Sequence, residues 1–471
     1  MSRTITIDPV TRIEGHARVE VDIDDQNKVT SVFKVLDFRG WETLLQGTKV
    51  EQMPSLTARI CGTCSTSHHL VSAKAVDQVF SVTPPPAAVK LRNVLNLAGF
   101  LHSHSIHLFA LAAPDFLLPP GTPPEQRNLL TLIDNPNTQE IAENALRLRK
   151  ISTSISQEIG GRGIHPVTAV PGGMSQTLSE RSREILYNNA QEGIELAKSL
   201  FDALAPALSD TNSDLLQSLP WESHYLSLVK NRYLDLYNGM LQLTSPGAAI
   251  PPVCFTGEQW KEHLKEQVTP ESYAKPVFFQ DAQENLVDYR VGPLARLNGC
   301  EHIDTPRAQD ALDSFHEFGR PCHQTYLYHF ARLIELLYAA EKLEQLLGDE
   351  TICDVEVQTQ VGAINGHGVG VIEAPRGVLI HDYQVDDKGL LTTANLLIAT
   401  QQNISAINKT VGLAAQRLIH NPDDNALMNA IEMGIRCYDP CLSCATHRLG
   451  EMKMEVVVRQ NGAVIRRSRR S

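Results

Sequence analysis

The sequence predicts an α+β fold, predominantly helical, with a central bundle of long helices and small β elements near both ends. Apolar residues recur at 3–4 spacing through stretches such as "YLYHFARLIELLYAAEKLEQLL", the period of one helix face. Short runs near the start, "TITI", "HARVEVDI" and "VTSVFKVL", alternate as half-buried strands do. No internal repeat and no low-complexity linker divides the 471 residues, so one large domain is expected rather than several.

Taken in order, residues 3–36 read as strands joined by Asp/Asn-rich turns. Residues 42–80 read as mainly helical around "RICGTC", and 87–115 as one long helix ending at "APDF". Residues 123–160 and 179–208 are helical again, parted by the Gly/Pro-rich "GRGIHPVTAVPGG". The stretch 209–280 is mixed, with loops around "TSPGAAIPP", and one helix or two follow over 302–347. Residues 367–400 return to strands, "GVGVIEAPRGVLIHDYQV" and "LLTTANLLIA", around an Asp-Lys-Gly turn. A last helical region covers 401–436. The tail "MEVVVRQNGAVIRRS" reads as a hairpin turning at Asn-Gly.

Apolar residues make up 42% of the chain and the formal charge is −12. A nucleic-acid partner is not expected of so acidic a protein, whose dense basic run is the terminal "RRSRR". The opening "MSRTITIDPV" has no apolar leader run. Pro114 and Asp115 interrupt the apolar "IHLFALAAPDFLLPP", so no membrane span is expected. The expected address is the cytoplasm.

Nine cysteines stand at 61, 64, 254, 300, 322, 353, 437, 441 and 444, too sparse for a disulfide-stapled secreted fold. Four of them form two CxxC pairs, Cys61/Cys64 and Cys441/Cys444. Two pairs brought together offer four thiolates, which select zinc, nickel, copper(I) or clustered iron. Spacing alone leaves three readings open: a structural zinc site, independent redox pairs, or a catalytic or cluster metal. The long separation of the pairs argues against a zinc site that closes a short loop. The other five cysteines have no second partner at ligand spacing and read as core thiols. His102, His104 and His107 on "FLHSHSIHLFA" read as packing or proton-network residues.

The surroundings of the two pairs carry a resemblance. "RIEGH" at 12–16, "RGWE" at 39–42, "RICGTCSTSH" at 59–68, "EAPRG" at 373–377 and "DPCLSCATH" at 439–447 follow in order. The chain thereby resembles the large, catalytic subunit of nickel–iron hydrogenases over nearly its whole length. The resemblance implies that family's large-subunit fold and reversible oxidation of H2 to protons and electrons. It implies nickel on Cys61, Cys64, Cys441 and Cys444, with Cys64 and Cys444 bridging to an iron that carries one carbon monoxide and two cyanides. Cys441 would be the terminal thiolate that takes the proton, and Glu14 the carboxylate that relays it; an ion pair of Glu14 with Arg12 or Arg18 is the alternative. Arg376 would hang over the open metal position, oriented by Asp115 and Asp439, and His68, four after Cys64, would share its helix face. Glu42 and His447 would hold a separate magnesium, or second iron.

The chain has no further cluster-binding cysteine pattern and no GxGxxG after a strand. The resemblance therefore implies a small subunit bearing iron–sulfur clusters, and further electron-transfer or diaphorase subunits. The cues "CLSCATH" and "GVGVIEAPRG" resemble the cytoplasmic group coupled to NAD or NADP. A nickel-free relative among respiratory-complex subunits and a structural zinc protein are the alternatives. Residues 1–447 are expected to be the single catalytic domain. Residues 448–471 are expected to be a maturation peptide, removed after His447 by an endopeptidase once metal-insertion factors have acted. That tail carries seven Lys and Arg against Glu451 and Glu455, so its removal would take the charge from −12 to −17.

Overall fold

The computed structural model describes residues 3–36, 40–119, 122–210, 219–247, 250–269, 272–418, 421, 423–442, 454–460 and 463–470. At its centre runs the helix Tyr328–Gly348, buried on nearly every side, as a helix that is apolar all round must be. It packs on the helices Glu180–Ser209, Pro86–Ser105 and Pro306–His316, and the helix Gln139–Gly160 lies against two of these partners. This is the long-helix bundle that the 3–4 spacing predicts.

The helix Pro86–Ser105 has a proline at its first position, where the missing N–H costs no hydrogen bond. It passes into a π-turn over Ile106–Ala112 and a 3-10 turn over Ala113–Asp115. By length and composition the stretch Pro86–Asp115 could cross a bilayer, although Pro114 and Asp115 break its apolar run. Its apolar window is 72% buried inside the protein, so here it serves as a core helix.

The N-terminal strands Arg3–Asp8, Ala17–Ile23 and Val29–Val35 form an antiparallel sheet. The tail strands Met454–Gln460 and Ala463–Arg470 extend it beyond Arg3–Asp8. The expected tail hairpin is therefore present as backbone, while its Asn-Gly turn lies outside the described residues. Three further sheets occupy the middle of the chain, one built on His224–Lys230 and one the short pair Ala169–Val170 and Gly173–Met174. The sheet built on His224–Lys230 falls largely within the stretch 209–280 that reads as mixed. In His224–Lys230 five successive residues are buried, so no alternation marks the strand.

The antiparallel strands His367–Ala374, Gly377–Val385 and Leu391–Leu397 carry the "EAPRG" turn at the end of their first hairpin. The helix Ser65–Val79 lies directly on them. A Cβ at Gly370 would come within 2.0 Å of the Val71 carbonyl oxygen, so glycine permits that approach. Gly377, at φ +136°, closes the turn after Arg376, and a Cβ there would meet Val291 at 2.5 Å.

A buried ion network ties this turn to the bundle. Arg296 donates to both oxygens of Glu335, at 2.5 and 2.7 Å, and to Glu373 at 2.7 Å. It also donates to the carbonyls of Ala374 and Pro375, and His104 meets Glu335 at 2.7 Å. Burial pushes both carboxyls up. The two-pronged grip of Arg296 outweighs it at Glu335, which lies below the ordinary range, whereas Glu373 is pushed up to about 7. Arg296→Met should leave both carboxyls buried without their cation and cost about 3–5 kcal/mol. Urea unfolding measures this; a loss below about 1 kcal/mol would show that the network does not hold the turn.

Candidate metal centre

Four loops meet beside the end of the helix Ser65–Val79. Cys61 ends the 3-10 turn Ala58–Ile60, and Cys64 caps the N-terminus of the helix, where the helix dipole favours a thiolate. Glu14 pairs its backbone with Cys441 in an isolated bridge, and the Leu442 N–H donates to the Glu14 carbonyl at 2.8 Å. The Cys441 N–H is held by Thr400 Oγ1 at 3.0 Å.

This places Cys441 Sγ 3.2 Å from Cys61 Sγ and 4.0 Å from Cys64 Sγ. The three sulfurs lie within 4.8 Å of one another, although 380 positions separate Cys61 from Cys441. Cys441 is raised well above the usual thiol range, first by Cys61 and Cys64 and then by burial. At Cys64 the contact with Cys441 pulls down, but Cys61 and burial outweigh it. Cys444 and His447 lie outside the described residues.

Glu14 sits at the edge of the thiol group. Its Oε2 accepts from Thr63 Oγ1 at 2.5 Å, and its Oε1 lies 3.4 Å from Cys61 Sγ. Burial and the neighbouring Cys61 push its carboxyl up to about 7, against the pull of Arg376 at 3.4 Å. The alternative partners are engaged elsewhere: Arg18 pairs with Asp8 and Arg12 with Asp115.

Arg376 lines the thiol cavity with Cys61, Cys64, His68 and Cys441. Its Nε donates to the Asp439 carbonyl at 2.7 Å, its Nη2 to Asp439 Oδ1 at 3.1 Å, and its Nη1 to Thr63 at 3.3 Å. Asp439 has φ 50°, a left-handed conformation that Asp tolerates, and it offers Arg376 both its carbonyl and its carboxylate. Burial would raise the Asp439 carboxyl, but Arg376 and His107 hold it well below the usual range. His107, in the π-turn, lies 2.9 Å from Asp439, and π-turns recur at functional sites.

The expectation that Asp115 and Asp439 share Arg376 is not met; the two divide. Asp115 grips Arg436 at 2.7 and 3.1 Å and also bonds Arg12. It thereby clamps the "RIEGH" segment to the helix Asp424–Cys437, and so bears on Arg376 through the loops that carry Glu14 and Asp439. His68 lines the cavity, and its Nδ1 meets His381 Nε2 at 3.1 Å. Glu42 lines a second cavity that also reaches Cys441, and accepts from the Leu396 N–H at 2.9 Å.

Sequence reasoning did not find Thr63, Thr400 or His381. Each is a long-range partner with no local signal, although Thr63 does lie inside the first CxxC. Cys437 donates to its own helix, to the Met433 carbonyl, as a core thiol does. Cys254 is exposed on the strand Val253–Phe255, so the core expectation fails there.

A family model described as nickel-dependent hydrogenase matches residues 39–119 and 271–447, and one described as HoxL-like matches 4–38. A relative from Methanococcus voltae, a component of its vhc F420-non-reducing hydrogenase, is 39% identical over 98% of this chain and 99% of its own. NAD-reducing hydrogenase HoxS subunit beta of Cupriavidus necator is 37% identical over 97% of each. Among solved structures, an NAD+-reducing [NiFe]-hydrogenase in the H2-reduced state superposes with TM-score 0.89 at 36% identity. That superposition covers 94% of this chain and 99% of the other. With three thiols gathered beside a raised carboxyl and a buried arginine, and with these relatives spanning nearly its whole length, the chain belongs to the nickel-dependent hydrogenases, as their large, catalytic subunit.

Proposed function

We propose that this subunit oxidises H2 reversibly at a nickel–iron centre held by Cys61, Cys64, Cys441 and Cys444, with one carbon monoxide and two cyanides on the iron. The observation that carries the reading is the meeting of three sulfurs from opposite ends of the chain in one buried cavity. The donor set fits: crowded thiolates repel one another, so the thiols hold their protons until a soft cation relieves that repulsion. When bound, the metal pair supplies the position where H2 is polarised and its two electrons are taken up.

The chain's own residues handle protons and shape. Cys441 would help hold the nickel and would be the thiolate that takes the first proton. Glu14, 3.4 Å from Cys61 and poised near neutrality, relays it outward, as a carboxyl matched to the working pH can. Arg376, fixed by Asp439 and Thr63, holds a rigid positive fork over the cavity. Glu42 and His447 hold magnesium, or a second iron, and anchor the chain end beside Cys441. Electrons leave to a cluster-bearing small subunit, and from there to a soluble cytoplasmic acceptor such as NAD(P), through diaphorase-type subunits. The NAD-reducing relative supports that acceptor. Residues 448–471 are cut off after His447 by an endopeptidase once metal-insertion factors have loaded nickel.

The matured protein should contain about one nickel and one iron per chain and show infrared bands of metal-bound carbon monoxide and cyanide. Zinc alone, without such bands, refutes the reading. Glu14→Gln should keep the metals and sharply slow H2 turnover and exchange with deuterated solvent, because an amide carries no proton; unchanged exchange removes Glu14 from the path. The same variant has a second consequence. With its pKa raised from 4.5 to about 7, native Glu14 holds a proton that the unfolded chain releases across that window. Its contribution to stability therefore falls as pH rises from 4.5 to 7. Urea unfolding of metal-free Glu14→Gln should show that loss removed, so that the variant gains on the wild type across the window.

Intact mass under denaturing conditions tests the cleavage. Denaturation matters because Met454–Gln460 pairs with Arg3–Asp8 and a severed hairpin can stay bound. Active, nickel-loaded chains that still end at Ser471 overturn the cleavage account.

A further inference from the structure

Behind His68 a line of hydrogen bonds runs away from the thiol cavity. His68 Nδ1 lies 3.1 Å from His381 Nε2, and His381 Nδ1 lies 2.7 Å from Tyr383 Oη. The Tyr383 hydroxyl donates to Ser72 Oγ at 2.9 Å. All four residues are at most 2% exposed. The geometry closes on itself: His68 and Ser72 lie one turn apart on the helix Ser65–Val79, and His381 and Tyr383 lie two apart on one face of the strand Gly377–Val385. The Thr57 hydroxyl, 2.8 Å from the Met53 carbonyl and 3.1 Å from the His68 carbonyl, shares its one hydrogen between them and sits against the same turn.

The direction of this line can be worked out. Tyr383 has one hydrogen and gives it to Ser72, so its oxygen accepts from His381. Burial keeps the His381 imidazole neutral, well below its ordinary pKa, so it has one N–H. That N–H sits on Nδ1, facing Tyr383, and His381 Nε2 is the bare nitrogen. A bare nitrogen 3.1 Å from His68 Nδ1 requires the proton on His68.

We infer that His381 and Tyr383 are positioning residues which hold His68 with its proton on Nδ1, leaving Nε2 as the nitrogen it offers to the thiol cavity. The ring can neither flip nor exchange tautomers without breaking three buried hydrogen bonds in series. A second-sphere partner that fixes a histidine in this way sets what its other nitrogen can do.

The inference rests on the hydrogenase reading for what His68 faces, but not for how the line is polarised. Neutron diffraction from deuterated holoenzyme reads that polarity directly. Deuterium is expected on His68 Nδ1, on His381 Nδ1 and on Tyr383 Oη toward Ser72; deuterium on His381 Nε2 overturns the inference. These positions are read from protein atoms, so they stay decisive even if the metals prove to be other than nickel and iron. In matured enzyme, Tyr383→Phe should keep the metal content, shift the carbon monoxide and cyanide bands, and lower H2 turnover on the order of tenfold. His381→Gln can accept from His68 and donate to Tyr383, and should stay within about threefold of wild type, whereas His381→Leu should fall with Tyr383→Phe. Wild-type bands and turnover in Tyr383→Phe would reduce the line to packing and overturn the positioning role.

Discussion

A buried guanidinium is stabilised by acceptors, and Arg376 obtains them from three separate stretches of chain. Asp439 gives it a carbonyl and a carboxylate, Thr63 a hydroxyl, and Glu14 a carboxylate at longer range. Leaving such a cation without partners costs several kcal/mol. That charge ties the loops together, beside the Glu14–Cys441 backbone bridge and the Thr400 bond to Cys441. The sulfurs converge because each of the three acceptor residues lies within three positions of a cysteine or pairs with one.

The outer braces follow the same principle. Arg296, with Glu335 and Glu373, fixes the base of the "EAPRG" turn to the central helix. Asp115, between Arg12 and Arg436, ties the first loop to the last helix. Each brace is a buried cation answered by carboxylates and carbonyls from elements far apart in sequence. Such arrangements add little net stability compared with apolar packing, but they tolerate few alternative geometries. That suits a cavity whose donors must stay in place whether or not a metal is present.

What the sequence discloses follows from how local each signal is. The long helices are legible because apolar spacing is a property of the segment itself, as in Tyr328–Gly348. The thiols, Glu14 and Arg376 are legible through short motifs whose spacing survives folding. His381, Tyr383 and Thr400 are not, because a histidine or threonine on a strand or at a helix start has many unremarkable uses, and its partner lies far along the chain, 41 positions from Thr400 and 313 from His381. The division of labour between Asp115 and Asp439 is hidden for the same reason. Asp115 follows a proline and Asp439 precedes one, and only the fold decides which arginine each meets. The strand His224–Lys230 escaped because burial on both faces erases the alternation that marks a strand.

The long sequence gap inside the centre also has a consequence in time. Cys61 leaves the ribosome while Cys441, 380 positions later, is still unmade. At roughly 5–20 residues per second, the interval is on the order of 20–80 s. Throughout it the first thiol pair, Glu14 and Thr63 lack the segment that closes over them, and Arg376 arrives late in the same interval. The newborn chain therefore passes through a period in which Cys61 and Cys64 await Cys441 and are open to any thiophilic ion in the cell. Guarding that half-site is a problem of translation as much as of catalysis.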